Sequence, residues 1–227
     1  MNTAIIVAAG TGSRFNSEIP KQFLDISGRP VIIHTLERFQ SCEAVDEIVV
    51  VMSPERSEKF LEENLRDRFS KLKQIVDGGN TRAKSVRNGL AAVCATSRVV
   101  AVHDGARPLV STDEIRLTIE RAAEVGAACL VAPVLDTMKH VEGGFITGTV
   151  DRDRLRRALT PQAFRHEILT EAFRDADLSE TVTDECYLVE KLRVPIAVVE
   201  GSPRNIKITH PRDFALAEFY LGQEQLS

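Results

Sequence analysis

Two glycine-bearing stretches and one aspartate carry most of the chemistry that this 227-residue sequence offers. The first stretch is Ala8-Ala9-Gly10-Thr11-Gly12-Ser13-Arg14, followed by Pro20-Lys21-Gln22. Small residues let backbone N–H groups close on a ligand, and Arg14 and Lys21 stand a few residues behind them, which is the composition of a phosphate cradle. The second is Asp77-Gly78-Gly79-Asn80-Thr81-Arg82-Ala83-Lys84-Ser85-Val86. Ala83, Val86, Leu90 and Val93 have helical spacing, so this stretch sits where a strand gives way to a helix. Free N–H groups and the helix dipole favour an anion or a polar base edge there. The aspartate is Asp104, in His103-Asp104-Gly105-Ala106-Arg107-Pro108 after the apolar run Val99 to Val102. At a strand's C-terminal end it can give Mg2+ a hard oxygen ligand beside a nucleotide's phosphates, although a turn or cap would also use an Asp. His103 reads as a packed, hydrogen-bonded residue.

Two familiar phosphate sites do not fit. A P-loop needs Gly-x4-Gly-Lys-Ser/Thr, which is absent, and a dinucleotide fingerprint needs a third glycine where Phe15 stands.

Positioning these loops requires buried strands. Ala4 to Ala9, Asp46 to Met52, Lys73 to Val76, Arg98 to His103, Ala127 to Leu135 and Ile196 to Glu200 are short apolar runs of that kind. Helices are expected from Val31 to Gln40, from Pro54 to about Phe69, after Asn80, after the capping box Ser111-x-x-Glu114, from Arg165 to about Ala176, after Thr183 and after Pro211. Strands alternating with helices predict an α/β fold with a doubly wound, mostly parallel sheet. From about 137 to 157 the pattern changes to a hairpin around Gly143-Gly144, an arm whose edges a partner subunit would cover. Thr160 to Phe164 reads as the return of the chain to the body.

The length suits a single domain over residues 1–227 with that arm. A net charge of −4 argues against a nucleic-acid partner and leaves any anion site to local clusters of Lys and Arg. Four scattered cysteines suggest neither a zinc site nor disulfides. No apolar run is long enough to span a membrane and no leader is evident, so a cytoplasmic location is expected.

Together, Ala8-Ala9-Gly10-x-Gly12-x-Arg14, Pro20-Lys21-Gln22, Gly78-Gly79-x-x-Arg82-x-x-Ser85-Val86, His103-Asp104-x-Ala106-Arg107-Pro108, Asp136-Thr137, Asp151-Arg152, Thr160-Pro161-Gln162, Thr183-Asp184-Glu185 and Asn205-Ile206-Lys207 are similar to the 2-C-methyl-D-erythritol 4-phosphate cytidylyltransferases of the non-mevalonate isoprenoid pathway. The resemblance covers essentially the whole chain. It implies a homodimeric enzyme of nucleotidyltransferase type that joins CTP to the phosphate of methylerythritol phosphate, releases pyrophosphate and needs Mg2+.

By the same resemblance, Ala8, Ala9, Gly10, Thr11 and Gly12 would wrap the triphosphate. Gly79, Asn80 and Ser85 would meet the cytosine and ribose, and Asp104 with Gly105 would stand by the nucleotide, Asp104 also by Mg2+. Arg14 and Lys21 match the family's transition-state stabilisers, and Arg152 and Lys207 the pair that positions the sugar phosphate. Arg107, Thr137 and Thr160 would line that second pocket, Thr137 and Arg152 reaching it from the partner's arm. Position 80 is Asn, where relatives can carry an acid, so a side-chain contact to the base would differ while a backbone contact would survive.

The nearest rival is the ribitol-5-phosphate cytidylyltransferase family, which typically has Ala-Gly-Gly where this chain has Ala8-Ala9-Gly10 and has a different arm. A nicotinamide oxidoreductase would need the missing glycine and an acid closing the second strand. A non-catalytic nucleotide binder would bind without turnover.

Overall fold

Strand β1 (Asn2–Val7) lies inside a seven-stranded sheet, with Ala4, Ile5 and Ile6 completely buried. The structure is a computed structural model that describes residues 1–10, 19–55, 68–178 and 182–224. After β1 come a short ribbon, β2 (Asp25–Ile26) and β3 (Arg29–Pro30), and helix α1 (Val31–Ser41). Strands β4 (Glu47–Met52) and β5 (Leu72–Asp77) follow, then α2 (Arg82–Ala91), β6 (Val99–Asp104), α3 (Thr112–Val125) and β7 (Ala127–Pro133). The remainder is β8 (Lys139–Glu142), β9 (Phe145–Thr149), β10 (Arg156–Arg165), α4 (His166–Arg174), α5 (Glu185–Lys191), β11 (Ala197–Glu200) and α6 (Pro211–Glu224).

The sheet order is β11-β7-β10-β6-β1-β4-β5. β1 runs parallel to β4 and β6, β4 to β5, and β7 to β11. Because side chains alternate along a strand, Ala4 and Ile6 join one core and Ile5 the other. The first core packs against Ile32, Leu36 and Phe39 of α1 and Ile115 and Ile119 of α3. The second packs against Val86 of α2, Leu169 of α4 and Leu188 of α5. Both faces are therefore covered by helices, which is why these strands read as continuous apolar runs. A smaller cluster of Ile26, Val31, Leu109, Ile208, Ala217 and Leu221 fastens α6 to the ribbon.

The structure corrects one expectation. The return segment is not a simple re-entry, because β10 is a ten-residue strand antiparallel to both β6 and β7. Pro161 hid it, since proline cannot donate to a ladder and argues against a central strand. The strand tolerates Pro161 because its register against β7 shifts between Ala158 and Gln162. The helix expected to run on from Pro54 falls largely in residues 56–67, outside the described residues.

The hairpin is as expected: Glu142 pairs with Phe145 across Gly143 and Gly144, whose φ angles of 57° and 86° suit a tight hairpin turn. Its two strands form a sheet of their own. Val141, Phe145 and Ile146 are 65–76% exposed, Val141 and Ile146 being directly paired across the two strands.

Candidate functional site

The C-terminal ends of β1, β5 and β6 open into one cavity of about 360 Å³. Its wall brings together Ala8, Ala9, Gly10, Lys21, Gly79, Asn80, Ser85, Asp104 and Lys207, nine residues singled out from sequence. Thr11, Gly12 and Arg14 lie outside the described residues.

The first loop leaves β1 with the Ala8 N–H donating to Val51 C=O at 2.7 Å. Gln22 then staples it: buried in the short helix Lys21–Phe23, its Nε2 donates to the carbonyls of Ala8 (2.6 Å) and Gly10 (2.8 Å). Both carbonyls are thereby satisfied by one amide group. Gln22 was visible in the sequence motif, but nothing local marked its side chain as the clasp of the loop. The neighbouring loop after β5 comes very close, for a Cβ on Gly78 would stand 2.1 Å from Ala9 Cβ. Only glycine permits that approach.

Ser85 is turned inward, accepting the Gly79 N–H at 3.1 Å and donating to Thr81 C=O at 3.0 Å. Its hydroxyl holds the second loop, although the residue is part of the cavity wall. Thr81 caps α2 by accepting the Lys84 N–H at 3.1 Å, which leaves the α2 N-terminus facing the cavity.

Asp104 is the last residue of β6 and the centre of a charge cluster. Its Oδ1 accepts from Arg82 Nε at 3.0 Å; its Oδ2 meets Lys207 Nζ at 3.0 Å and Arg107 Nε at 3.3 Å. Burial alone would push this carboxyl up, but Arg82, then Lys207 and Arg107, hold it well below the usual carboxylate range. Arg82 also forks onto Glu185, with Nη1–Oε1 at 2.6 Å and Nη2–Oε2 at 3.1 Å. Burial raises the Glu185 carboxyl above its ordinary value and Arg82 offsets only part of that; the bidentate geometry, in which both oxygens accept, is that of the ionised acid. Burial works against the Arg82 charge too, yet Glu185 and Asp104 outweigh it and keep the guanidinium protonated.

Lys207 is set by its backbone. Ile208 N–H donates to Ala106 C=O at 2.9 Å, and Arg107 Nη1 to Asn205 C=O at 2.9 Å, so the segment carrying Lys207 is tied to the loop after Asp104. Gly105 lies underneath, its N–H donating to Val7 C=O at 2.9 Å.

Thr160 and His103 lie buried behind Asp104, outside the cavity wall. Arg107 C=O can only accept, so His103 Nε2, 3.2 Å away, carries the proton and Nδ1 is the acceptor. Thr160 Oγ1 therefore donates to Nδ1 at 3.0 Å while accepting the Asp104 N–H at 3.1 Å. Its hydroxyl proton points into the protein. Burial holds the His103 pKa down to about 3. In the unfolded chain it returns to 6.5, so the unfolded state takes up the proton first and stability falls as pH drops from 6.5 towards 3. The loss is expected to reach roughly 4–5 kcal/mol at the acid end. Thermal melts between pH 7 and pH 4 should show the slope, and His103→Gln should flatten it; an equally steep variant would place the acid loss elsewhere.

The remaining sequence candidates stand apart. Thr137 and Arg152 are exposed at the base of the hairpin, where Arg152 Nη1 donates to Leu135 C=O at 2.6 Å, and neither is in the cavity wall. Arg107 and Thr160 lie behind Asp104, not in that wall. Sequence reasoning assigned no role to the Arg82–Glu185 pair. Glu185 stands in the first turn of α5, where the helix dipole already favours an acid, so its position alone does not mark it.

A sequence model of the family IspD, 2-C-methyl-D-erythritol 4-phosphate cytidylyltransferase, matches residues 2–223. The 2-C-methyl-D-erythritol 4-phosphate cytidylyltransferase of Syntrophus aciditrophicus is 42% identical, over 98% of this chain and 96% of its own. Among solved structures, the 4-diphosphocytidyl-2C-methyl-D-erythritol synthase of Anaerococcus prevotii superposes with a TM-score of 0.85 at 29% identity, covering 97% of this chain and 96% of that one. The 2-C-methyl-D-erythritol 4-phosphate cytidylyltransferase of Thermus thermophilus gives 0.78 at 32% identity, over 96% and 98% of the two chains. With near-complete coverage on both sides, the α/β sheet and its flanking helices are those of a nucleotidyltransferase, and the chain belongs to the IspD family of 2-C-methyl-D-erythritol 4-phosphate cytidylyltransferases.

Proposed function

We propose that this chain joins CTP and 2-C-methyl-D-erythritol 4-phosphate, giving 4-(cytidine 5'-diphospho)-2-C-methyl-D-erythritol and pyrophosphate in isoprenoid biosynthesis. Beyond family membership, the observation that carries this reading is the convergence of two glycine-bearing strand exits with Lys21 and Lys207 on one cavity. A phosphate oxygen of the sugar phosphate forms a bond to the α-phosphorus of CTP, and the bond from that phosphorus to the bridging oxygen breaks, releasing pyrophosphate. Both reactants are anionic, so positioning and charge neutralisation are the main demands on the protein. The attacking oxygen need lose no proton, so no general base is required.

In this reading the backbone of Ala8 to Gly12 and the α2 N-terminus receive the triphosphate. Gly79 and Asn80 meet the base, with Ser85 shaping their loop. Arg14 and Lys21 stabilise the transferring phosphoryl group, and Lys207 meets the sugar phosphate. Arg107 and Thr160 hold Asp104 and the Lys207 segment in place from below.

The donor set allows one protein ligand to Mg2+. An ionised carboxylate has about four lone-pair positions, and Arg82, Arg107 and Lys207 use three on Asp104. A position on Oδ1 remains, which fits an ion held chiefly by phosphate oxygens and water. When bound, Mg2+ supplies Lewis-acid neutralisation of phosphate charge.

The projecting hairpin supports a homodimer in which Val141, Phe145 and Ile146 are buried and Thr137 and Arg152 reach the partner's sugar-phosphate pocket. Among the described residues no helix is long and apolar enough to cross a membrane, in keeping with a proposed cytoplasmic enzyme.

The deciding experiment is pyrophosphate release from CTP with Mg2+, comparing methylerythritol phosphate with ribitol phosphate as acceptor. Release with the first alone is expected; release with ribitol phosphate alone would overturn the substrate, and none with either would overturn the activity. In the same assay Arg152→Ala should raise KM for the sugar phosphate far more than KM for CTP, and equal effects would remove Arg152 from that role.

A further inference from the structure

Glu185 is a charged residue with its side chain fully buried (0% exposed), and it is not in the cavity wall. Its backbone is fixed independently of its charge. Gln162 Oε1 accepts the N–H groups of Glu185 and Cys186, each at 3.1 Å, and Gln162 Nε2 donates to Asp184 Oδ2 at 2.9 Å. The carboxylate is thus presented from a rigid mount to Arg82, whose side chain is 24% exposed and does line the cavity. Glu185 takes both Nη atoms of Arg82, which leaves Nε to face Asp104 at 3.0 Å. Asp184 cannot take its place, being engaged by Gln162 and by the Tyr187 N–H at 3.0 Å.

We propose that Glu185 is a positioning residue for nucleotidyl transfer: by occupying the Arg82 fork it keeps that guanidinium off the nucleotide's phosphates and aimed at Asp104. This rests on the transfer reading given above. The charge arithmetic gives the direction of the effect. Arg82, Arg107 and Lys207 stand against Asp104 and Glu185, so the cluster carries one net positive charge. Without the Glu185 charge it carries two, and the fork is free to turn into the cavity. Phosphates then bind more tightly in the ground state, while Asp104 loses its orienting partner and transfer slows. A merely structural Glu185 would not tighten binding.

The test is a cycle of Glu185→Gln, Arg82→Met and the double variant, each checked for folding by circular dichroism. Turnover and nucleotide KM come from pyrophosphate release, and equilibrium binding of inorganic pyrophosphate from calorimetry. Glu185→Gln should bind pyrophosphate about threefold to tenfold more tightly, with nucleotide KM falling alongside. Its kcat should fall about tenfold or more. In the Arg82→Met background the same change should alter each by less than about twofold. Unchanged binding in folded Glu185→Gln, or an equal effect in the Arg82→Met background, would overturn the proposal. Should Glu185→Gln fail to fold, Glu185→Asp withdraws the carboxylate by one methylene: tighter pyrophosphate binding supports the proposal and unchanged binding overturns it. A wild type without turnover would defeat the transfer reading and with it the role in transfer, while the calorimetric cycle would still decide whether Glu185 holds the Arg82 fork away from phosphate.

Discussion

Lys207→Ala is expected to lower kcat by about a hundredfold to a thousandfold while the protein keeps its fold. The magnitude follows from removing one donor aimed at developing phosphoryl charge, on the order of 2.7–4 kcal/mol in the barrier. The retained fold follows from the cluster around Asp104. Lys207 is its more accessible member, with a side chain 37% exposed, and Asp104 keeps Arg82 and Arg107 when Lys207 is gone. Pyrophosphate release and circular dichroism on the same preparation decide the matter. Near-normal turnover in a folded variant would remove Lys207 from the chemistry, and an unfolded one would show that the cluster needs all three cations.

Arg82→Met should have the largest effect on stability. Glu185 would be left as an unpaired charge with no access to water, and breaking such a pair from one side costs about 3–5 kcal/mol. For a chain of this length the melting temperature should fall by roughly 6–20 °C. Replacing both partners, Arg82→Met with Glu185→Met, should recover most of that loss, because the stranded charge goes with its partner. A single variant that melts with the wild type would mean that Glu185 finds another cation or a proton at little cost.

These two residues show where reading the sequence succeeds and where it stops. Asp104 and Lys207 follow strand-like or motif-bearing stretches, and a charged side chain at such a point stands out in the sequence itself. Arg82 and Glu185 pair across 103 positions. Each has a local excuse, a helix start or a first-turn acid, so only the folded chain reveals that they neutralise one another. Thr160 differs again. Its place near the site was legible from the resemblance, but the direction of its hydroxyl depends on the tautomer of His103, which depends in turn on Arg107 C=O. The parallel strands were plain as apolar runs, whereas β10 was disguised by a proline that a register shift accommodates. The hairpin was legible because two adjacent glycines between alternating residues have few other uses.

The position of β10 also governs the order in which the sheet can be assembled as the chain emerges during synthesis. Strands β1, β4, β5 and β6 are complete once Asp104 has been made, and β7 once Pro133 has, but β7 is joined to that half of the sheet by hydrogen bonds only through β10. Until Arg165 has been added, β6 and β7 each present an unpaired ladder edge that includes Val99, Val100 and Val102 of β6 and Val131 and Ala132 of β7. Closing the sheet is therefore a late, long-range event, and the interval before it is when a nascent chain most needs shielding from its neighbours.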